Sequence, residues 1–220
     1  MAASAAEEIR QDQVEPREIR FARALESRGG KIVHARDEGH ARDLLVDLLA
    51  GRTACVDDDP VVRTILGDAA VVDDPWEATV GVTTALCAAA DTSTLAHPFD
   101  ARHRRSTGLV PPTHVALLPV DRLRDTYAEV LQELLSVRPA PSGMRLETGP
   151  SSSGDIEQIH VRGMHGPVEL VVLIVGSCAA EAEASGTQAA AGARQTDGEP
   201  TAEPAPPETG GPDAAPTEDG

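Results

Sequence analysis

The sequence has no run of the roughly 20 consecutive apolar residues that a bilayer crossing requires, and the alanines after Met1 give way at once to Glu7, Glu8 and Arg10. Neither a membrane anchor nor a secretory leader is expected, and membrane is not expected as a partner. Cysteine is equally scarce. Cys55, Cys87 and Cys178 lie far apart and form no C-x-x-C pair, which argues against a zinc ribbon and against a disulfide framework. Three thiols are also too few for a four-thiolate iron–sulfur cluster, and a reducing, cytoplasmic setting suits them. Positive charge is the third shortage: 19 basic residues against 36 acidic ones leave a net charge of −17. Such a balance repels phosphate backbones, so nucleic acid is not an expected partner. The small cluster Arg102, Arg104 and Arg105 does not outweigh the whole.

About half of the negative charge, −8, belongs to the last 44 residues, which carry nine acids and only Arg194 in return. From Ser177 onward there is no Leu, Ile, Val, Met or aromatic residue, so this stretch cannot bury enough apolar surface to offset its ordering entropy. The expected organisation is a flexible N-terminus at 1–15, one α/β domain at 16–176, and a disordered acidic tail rich in Ala, Pro and Gly at 177–220.

Within the domain, short β-rich runs alternate with helical periods, the signature of an open, mostly parallel sheet with helices on both faces. Pro16 is a favoured first helical residue, and Gly29 and Gly30 end that helix before a strand at 31–35. A helix at 38–50 carries Ala41, Leu44, Leu45, Leu48 and Leu49 on one stripe, and a strand at 53–56 follows. Pro60 opens a short helix, with a strand expected at 69–72. Strands are also expected at 113–118, 145–148 and 169–175, the last almost continuously apolar and so covered on both faces. Leu123, Tyr127, Val130, Leu131 and Leu134 predict a helix over 122–137, with Asp121 as its cap.

Ligands of open α/β sheets gather at strand-to-helix loops. One such loop is Gly149-Pro150-Ser151-Ser152-Ser153-Gly154-Asp155, read as opening a short helix with Ser152 and Asp155 spaced as a capping box. Its Gly149, Ser151, Ser152, Ser153 and Asp155 can hold a phosphate or carboxylate, although the same spacing suits an ordinary capped turn. Gly163-Met164-His165-Gly166-Pro167 then forms a tight turn in which His165 is either a proton-transfer group or a histidine bonded to local backbone. A second region runs from Gly81 to His97. There the hydroxyls of Thr83, Thr92 and Thr94 surround Asp91, which can act as acid, base or nucleophile; residues 92–95 also suit a plain strand. His97, His103 and His114 with Cys87 match no familiar ligand spacing, and no metal is expected.

Taken together, the segments Gly149–Glu157, Gly163–Pro167, Gly81–Thr83, Ala90–Leu95 and Pro111–Ala116 resemble the lactate-utilization C proteins, which carry the LUD domain. The resemblance covers roughly residues 16–176. It implies a sheet like that of sugar-phosphate isomerases and CoA transferases (NagB/RpiA/CoA-transferase-like). It also implies a part in oxidising L-lactate to pyruvate, as an accessory subunit without a cofactor of its own beside iron–sulfur lactate-oxidation partner proteins. The chain departs from the family pattern at Thr84 and Leu86, where a glycine and an acidic residue are usual, and at Ser93, where glycine is usual. A second reading keeps the same anion loop but makes the chain a stand-alone enzyme or binding protein for a small phosphorylated, carboxylated or CoA-linked metabolite.

Overall fold

A computed structural model describes residues 15–67, 71–154 and 160–176. Five parallel strands form the main sheet in the order β1–β11–β6–β3–β2, comprising Lys31–Ala35 (β1), Ala54–Val56 (β2), Val80–Thr84 (β3), Thr113–Pro119 (β6) and Glu169–Val175 (β11). The expected open parallel sheet is thus present. Its central strands are buried along nearly their whole length, as continuous apolar runs require when both faces are covered.

Alternation along each strand gives the sheet two different faces. Val80, Val82, Val115, Leu117, Val171 and Leu173 point to one side, where they meet Leu45 of helix α2 (Glu38–Leu49) and Val62 and Ile65 of helix α3 (Pro60–Leu66). Ala116, Leu118, Leu170, Val172 and Ile174 point to the other, where Phe21 and Leu25 of helix α1 (Arg17–Glu26) close part of the surface. Helices therefore lie on both faces. Asp37 and Asp59 cap α2 and α3 by accepting backbone N–H bonds from His40 and Val61, an arrangement worth about 1 kcal/mol at each helix.

The second face holds something the sequence pattern did not predict. A four-stranded sheet in the order β7–β4–β5–β8 packs there, built from Cys87–Ala89 (β4), Thr94–Phe99 (β5), Leu123–Arg124 (β7) and Gly143–Glu147 (β8). Its inner side contributes Ala88, Leu95 and Leu123 to the core, and its outer side is covered by Val130 and Leu134 of helix α4 (Tyr127–Ser136).

Two expectations are corrected along the way. Helix α4 begins at Tyr127 rather than at 122, because Thr126 and Glu129 form a reciprocal capping box while residues 120–124 run through a 3-10 turn into β7. Ser152 does not cap a helix: Ser152–Gly154 is strand β9, paired antiparallel with β10 (His160–Arg162). Of the expected strand at 69–72, residues 69 and 70 lie outside the described residues; Val72 donates its N–H to the Ala54 carbonyl but belongs to no strand. The flexible N-terminus, apart from residue 15, and the acidic tail, including Cys178, also lie outside the described residues.

Candidate functional site

Strand β8 reverses the usual disposition of side chains. Met144 and Leu146 are exposed, whereas Arg145 and Glu147 turn inward between the two sheets. Antiparallel register sets Arg145 opposite His97 and Glu147 opposite Leu95 on β5. The facing strands of the main sheet bring Thr83 on β3 and His114 on β6 to the same place, since Gly81 pairs with His114 and Thr83 with Ala116. Five polar side chains from four strands so meet in a space that is otherwise core. Burying them without partners costs several kcal/mol, which their mutual contacts must offset.

Glu147 is the hub. Its Oε2 lies 2.9 Å from His114 Nδ1, 3.1 Å from Arg145 Nη2 and 3.6 Å from His97 Nε2. On its far side His114 Nε2 lies 2.8 Å from the Thr83 hydroxyl. His114 is fully buried, and Thr83, His97 and Glu147 are nearly so. Burial pushes the Glu147 carboxyl up, but His114 and Arg145 pull it further down, leaving it below the ordinary range and ionised. Burial holds His114 below its usual value despite Glu147, and lowers His97 well below its own with help from the charge of Arg145. Both rings are neutral at pH 7. A proton on His114 Nδ1 would face the carboxylate and leave Nε2 to accept from the Thr83 hydroxyl, whereas a proton on Nε2 would donate to Thr83 and leave Nδ1 to accept from Arg145 Nη2.

Arg145 Nε and Nη1 and His97 Nε2 are buried without a hydrogen-bond partner among the described residues. Such orphans are uncommon in native interiors. The ligand atoms of His97, His114 and Glu147 all lie within 4.8 Å of one another, a spacing suited to a divalent ion. Arg145 Nη2, however, sits 3.1 Å from the shared carboxylate oxygen and 3.5 Å from His114 Nδ1, placing a fixed positive charge where the ion would go. The donor set suits an anion better than a cation.

Thr83, His97 and Arg145 line a narrow cleft of about 10 Å³ together with Asp57, Thr84, His103, Arg104, Arg105 and Gly108. It opens near the carboxyl ends of β2 and β3, where open α/β sheets take their ligands. At its rim His103 bridges Asp59 at 3.1 Å and Asp100 at 2.8 Å, and the Thr84 hydroxyl donates to Asp59 at 3.0 Å. Hydrogen bonds from the two carboxylates raise His103 to about 9. Burial opposes ionisation of Asp59, but the His103 contact and the Val61 N–H outweigh it and lower the carboxyl to about 2. Desolvation raises Asp57 to about 6. The arginine cluster noted in the sequence supplies two of the lining cations, Arg104 and Arg105.

The residues singled out from the sequence fall into three places. Thr83 belongs to the buried set. Thr92 and Thr94 bond each other at 2.8 Å beside Ser93, which adopts a positive φ of 53° and donates to the carbonyls of Thr92 at 2.6 Å and Thr148 at 3.2 Å. That contact joins the Asp91–Thr94 turn to the Gly149 loop. Asp91 itself is exposed and accepts the Tyr127 N–H at 3.3 Å. The Gly149 loop packs on Arg28. Ser151 pairs with the 163–167 turn: its N–H donates to the Pro167 carbonyl, its carbonyl accepts from Gly163, and its hydroxyl accepts the His165 N–H at 3.4 Å. Gly163, at φ 79°, and Gly166 permit this approach. His165, Ser152 and Ser153 are exposed, and Asp155 lies outside the described residues. Cys87 is buried in β4 with its thiol pushed up to about 12 by burial, as a packing residue rather than a nucleophile would be.

Arg145 and Glu147 were not legible as site residues. The charged residues at alternate positions of Gly143-Met144-Arg145-Leu146-Glu147 were the available signal, pointing to one polar face of a strand.

Comparison with known proteins places the chain's main match over the same strands. Residues 71–175 match the LUD domain family model. Lactate utilization protein C of Bacillus licheniformis is 33% identical over 103 residues, 45% of this chain and 43% of that protein. The protein of the same name from Bacillus subtilis is 32% identical over 103 residues, with the same shares. Uncharacterized protein YkgG of Escherichia coli is 36% identical over 85 residues, covering 36% of this chain and 37% of its own. The matched segments span less than half the length of these relatives. A crystal structure of a DUF162 family protein from Deinococcus radiodurans aligns with a TM-score of 0.58 at 19% identity, covering 74% of this chain and all of the other, which supports the fold.

Proposed function

We propose that this chain, whose residues 71–175 match the LUD domain family model, serves L-lactate utilization by binding a small carboxylate-bearing metabolite between its two sheets. The reading extends to a cluster-free accessory subunit that works beside iron–sulfur proteins in oxidising L-lactate to pyruvate. The names of the relatives support the pathway, and the two cysteines among the described residues are buried apart on different sheets.

The observation that carries the binding site is Arg145. Its guanidinium is largely buried, one edge is held by Glu147, and Nε and Nη1 lack partners beside the cleft. Nε and Nη1 lie on different edges of the guanidinium, and a ligand carboxylate can take up one of them through one oxygen. Calorimetric titration of the chain with L-lactate, pyruvate and succinate tests this: saturable binding of one of them, lost in Arg145→Met with the fold retained, is expected. Equal affinity in the variant, or no binding of any of the three, would overturn it. The pathway is tested separately. Deletion should abolish growth on L-lactate, and the tagged chain should co-purify with iron–sulfur proteins; unchanged growth without such partners would remove the lactate reading.

A further inference from the structure

Strand β2 is the last strand of the parallel sheet, and at its carboxyl end a cavity of about 340 Å³ lies between α3, residues 71–73 and residues 101–104. That volume falls within the range of small-ligand sites, roughly 300–1,000 Å³, and the carboxyl ends of strands are where open α/β sheets take their ligands. Its walls are pinned to β2 and to each other. The Val72 N–H donates to the Ala54 carbonyl at 2.8 Å, and the Asp58 N–H to the Arg102 carbonyl at 2.9 Å. Arg104 joins the loops, its N–H donating to the Asp57 carboxylate at 3.3 Å and its Nη1 to the Asp73 carbonyl at 3.1 Å.

The lining presents three kinds of surface at once. Val56, Leu66 and the exposed Val71 supply an apolar part, Arg102 and Arg104 positive charge, and Asp57 and Asp73 negative charge. Asp58 and Arg63, also in the lining, pair with each other. The remaining charges do not: among the described residues neither Arg102 nor Arg104 forms an ion pair with Asp57 or Asp73. Burial raises Asp57 to about 6 although His103 and Arg104 lie nearby, as expected of a carboxylate without a close cation. A purely anionic ligand would lie against the two carboxylates, and a purely cationic one against the two arginines. Opposite charges that surround a space without meeting across it suit a ligand that carries both signs itself.

We propose that this cavity binds the zwitterion of an α-amino acid with an aliphatic side chain. Its carboxylate lies toward Arg102 and Arg104, its ammonium toward Asp57 and Asp73, and its side chain over Leu66 and Val71. The site is a second one and does not depend on the reading above: Asp57 and Arg104 border both this cavity and the narrow cleft, but Arg145 lines only the cleft. L-Lactate, pyruvate and succinate bring no ammonium for the carboxylates here.

Calorimetric titration of the intact chain with L-leucine, isocaproate, isoamylamine and glycine tests this, since the last three lack in turn the ammonium, the carboxylate and the side chain. L-Leucine should bind saturably and each of the others about tenfold or more weakly, through loss of a charge-assisted hydrogen bond or of apolar burial. Arg102→Gln and Asp73→Asn, both at exposed positions, should each weaken leucine binding by about tenfold with circular dichroism unchanged. The methyl resonances of Leu66 and Val71 should shift on titration. No saturable binding of leucine, equal binding of any of the three truncated molecules, or undiminished binding in both variants would overturn the assignment. Arg145→Met separates this site from the one between the sheets. Leucine binding kept in that variant upholds the cavity whether or not lactate, pyruvate or succinate bind elsewhere, and leucine binding lost there in a folded protein would overturn it.

Discussion

The two faces of the parallel sheet are buried to a similar degree but are built on opposite principles. Under α2 and α3 the middle of the layer is apolar, with Val80, Val82, Val115, Leu117 and Leu173 against Leu45 and Ile65, and polar Thr84 and Thr113 stand only at the strand ends. On the opposite face the apolar packing of Phe21, Leu25 and Leu95 gives way to Thr83, His114, His97, Arg145 and Glu147. Close-packed apolar side chains hold a fold without needing any group to be charged. A buried ion network is a costlier solution that apolar residues of equal volume often match or exceed in stability. The contrast indicates that the polar layer is there for chemistry, and it can be broken by making one face resemble the other.

The largest effect is expected from leaving the polar layer half-paired. Glu147→Ala strands Arg145 and His114 and should cost about 3–5 kcal/mol in denaturant unfolding. The double variant R145M/E147L, which makes this face apolar like its counterpart, should recover at least half of that loss while remaining unable to bind carboxylates. On the apolar face Leu173→Ala, in the centre of β11, should cost about 2–5 kcal/mol and leave the affinity for carboxylates in the surviving folded fraction unchanged.

A smaller effect comes from pH. His103 is raised from 6.5 to about 9 by Asp59 and Asp100. It therefore contributes stability that is complete below about pH 6.5 and is lost as the pH rises through 9. Asp59, lowered to about 2, contributes above its ordinary value near 3.8 and loses that only in strong acid. Asp57 has the opposite sign: raised to about 6, it makes the fold less stable as the pH climbs from 4 to 6. Denaturation midpoints should consequently fall between pH 7 and 9.5 by about 1–2 kcal/mol after allowance for solvent screening, and this fall should disappear in His103→Asn.

The smallest change is expected at Ser93. Its φ of 53° is unfavourable for a side chain, but its hydroxyl bonds two carbonyls. Ser93→Gly relieves the first and loses the second, so stability should move by less than about 1 kcal/mol, whereas Ser93→Val should cost about 1–3 kcal/mol.

The same contrast explains what the sequence made legible. The parallel sheet was readable because β11 is continuously apolar and α2 has a clean stripe of leucines, both local signals. The second sheet was not. Its β5–β8 pairing joins residues about fifty positions apart, as in Leu95 with Glu147, and β8 turns its charged residues inward and its apolar ones outward, against the rule that hydrophobic residues face the core. Thr83 was found through its motif, and His97 and His114 were considered, with His103 and Cys87, as a metal set of unfamiliar spacing. The partner was Glu147, which only the fold brings near. The glycines of the 163–167 turn were read as letting the backbone approach a neighbour, which the structure shows to be Ser151, but Ser152 and Ser153, expected to open a helix, lie in a strand in which Ser153 pairs with Val161.

The central claim is that the polar layer is a carboxylate site and not structural filler. Its most direct test is calorimetric titration of R145M/E147L beside the wild type with L-lactate, pyruvate and succinate. The account predicts a folded double variant, more stable than Glu147→Ala, that binds none of them, while the wild type binds at least one saturably. Equal binding by both proteins, or by neither, would contradict it.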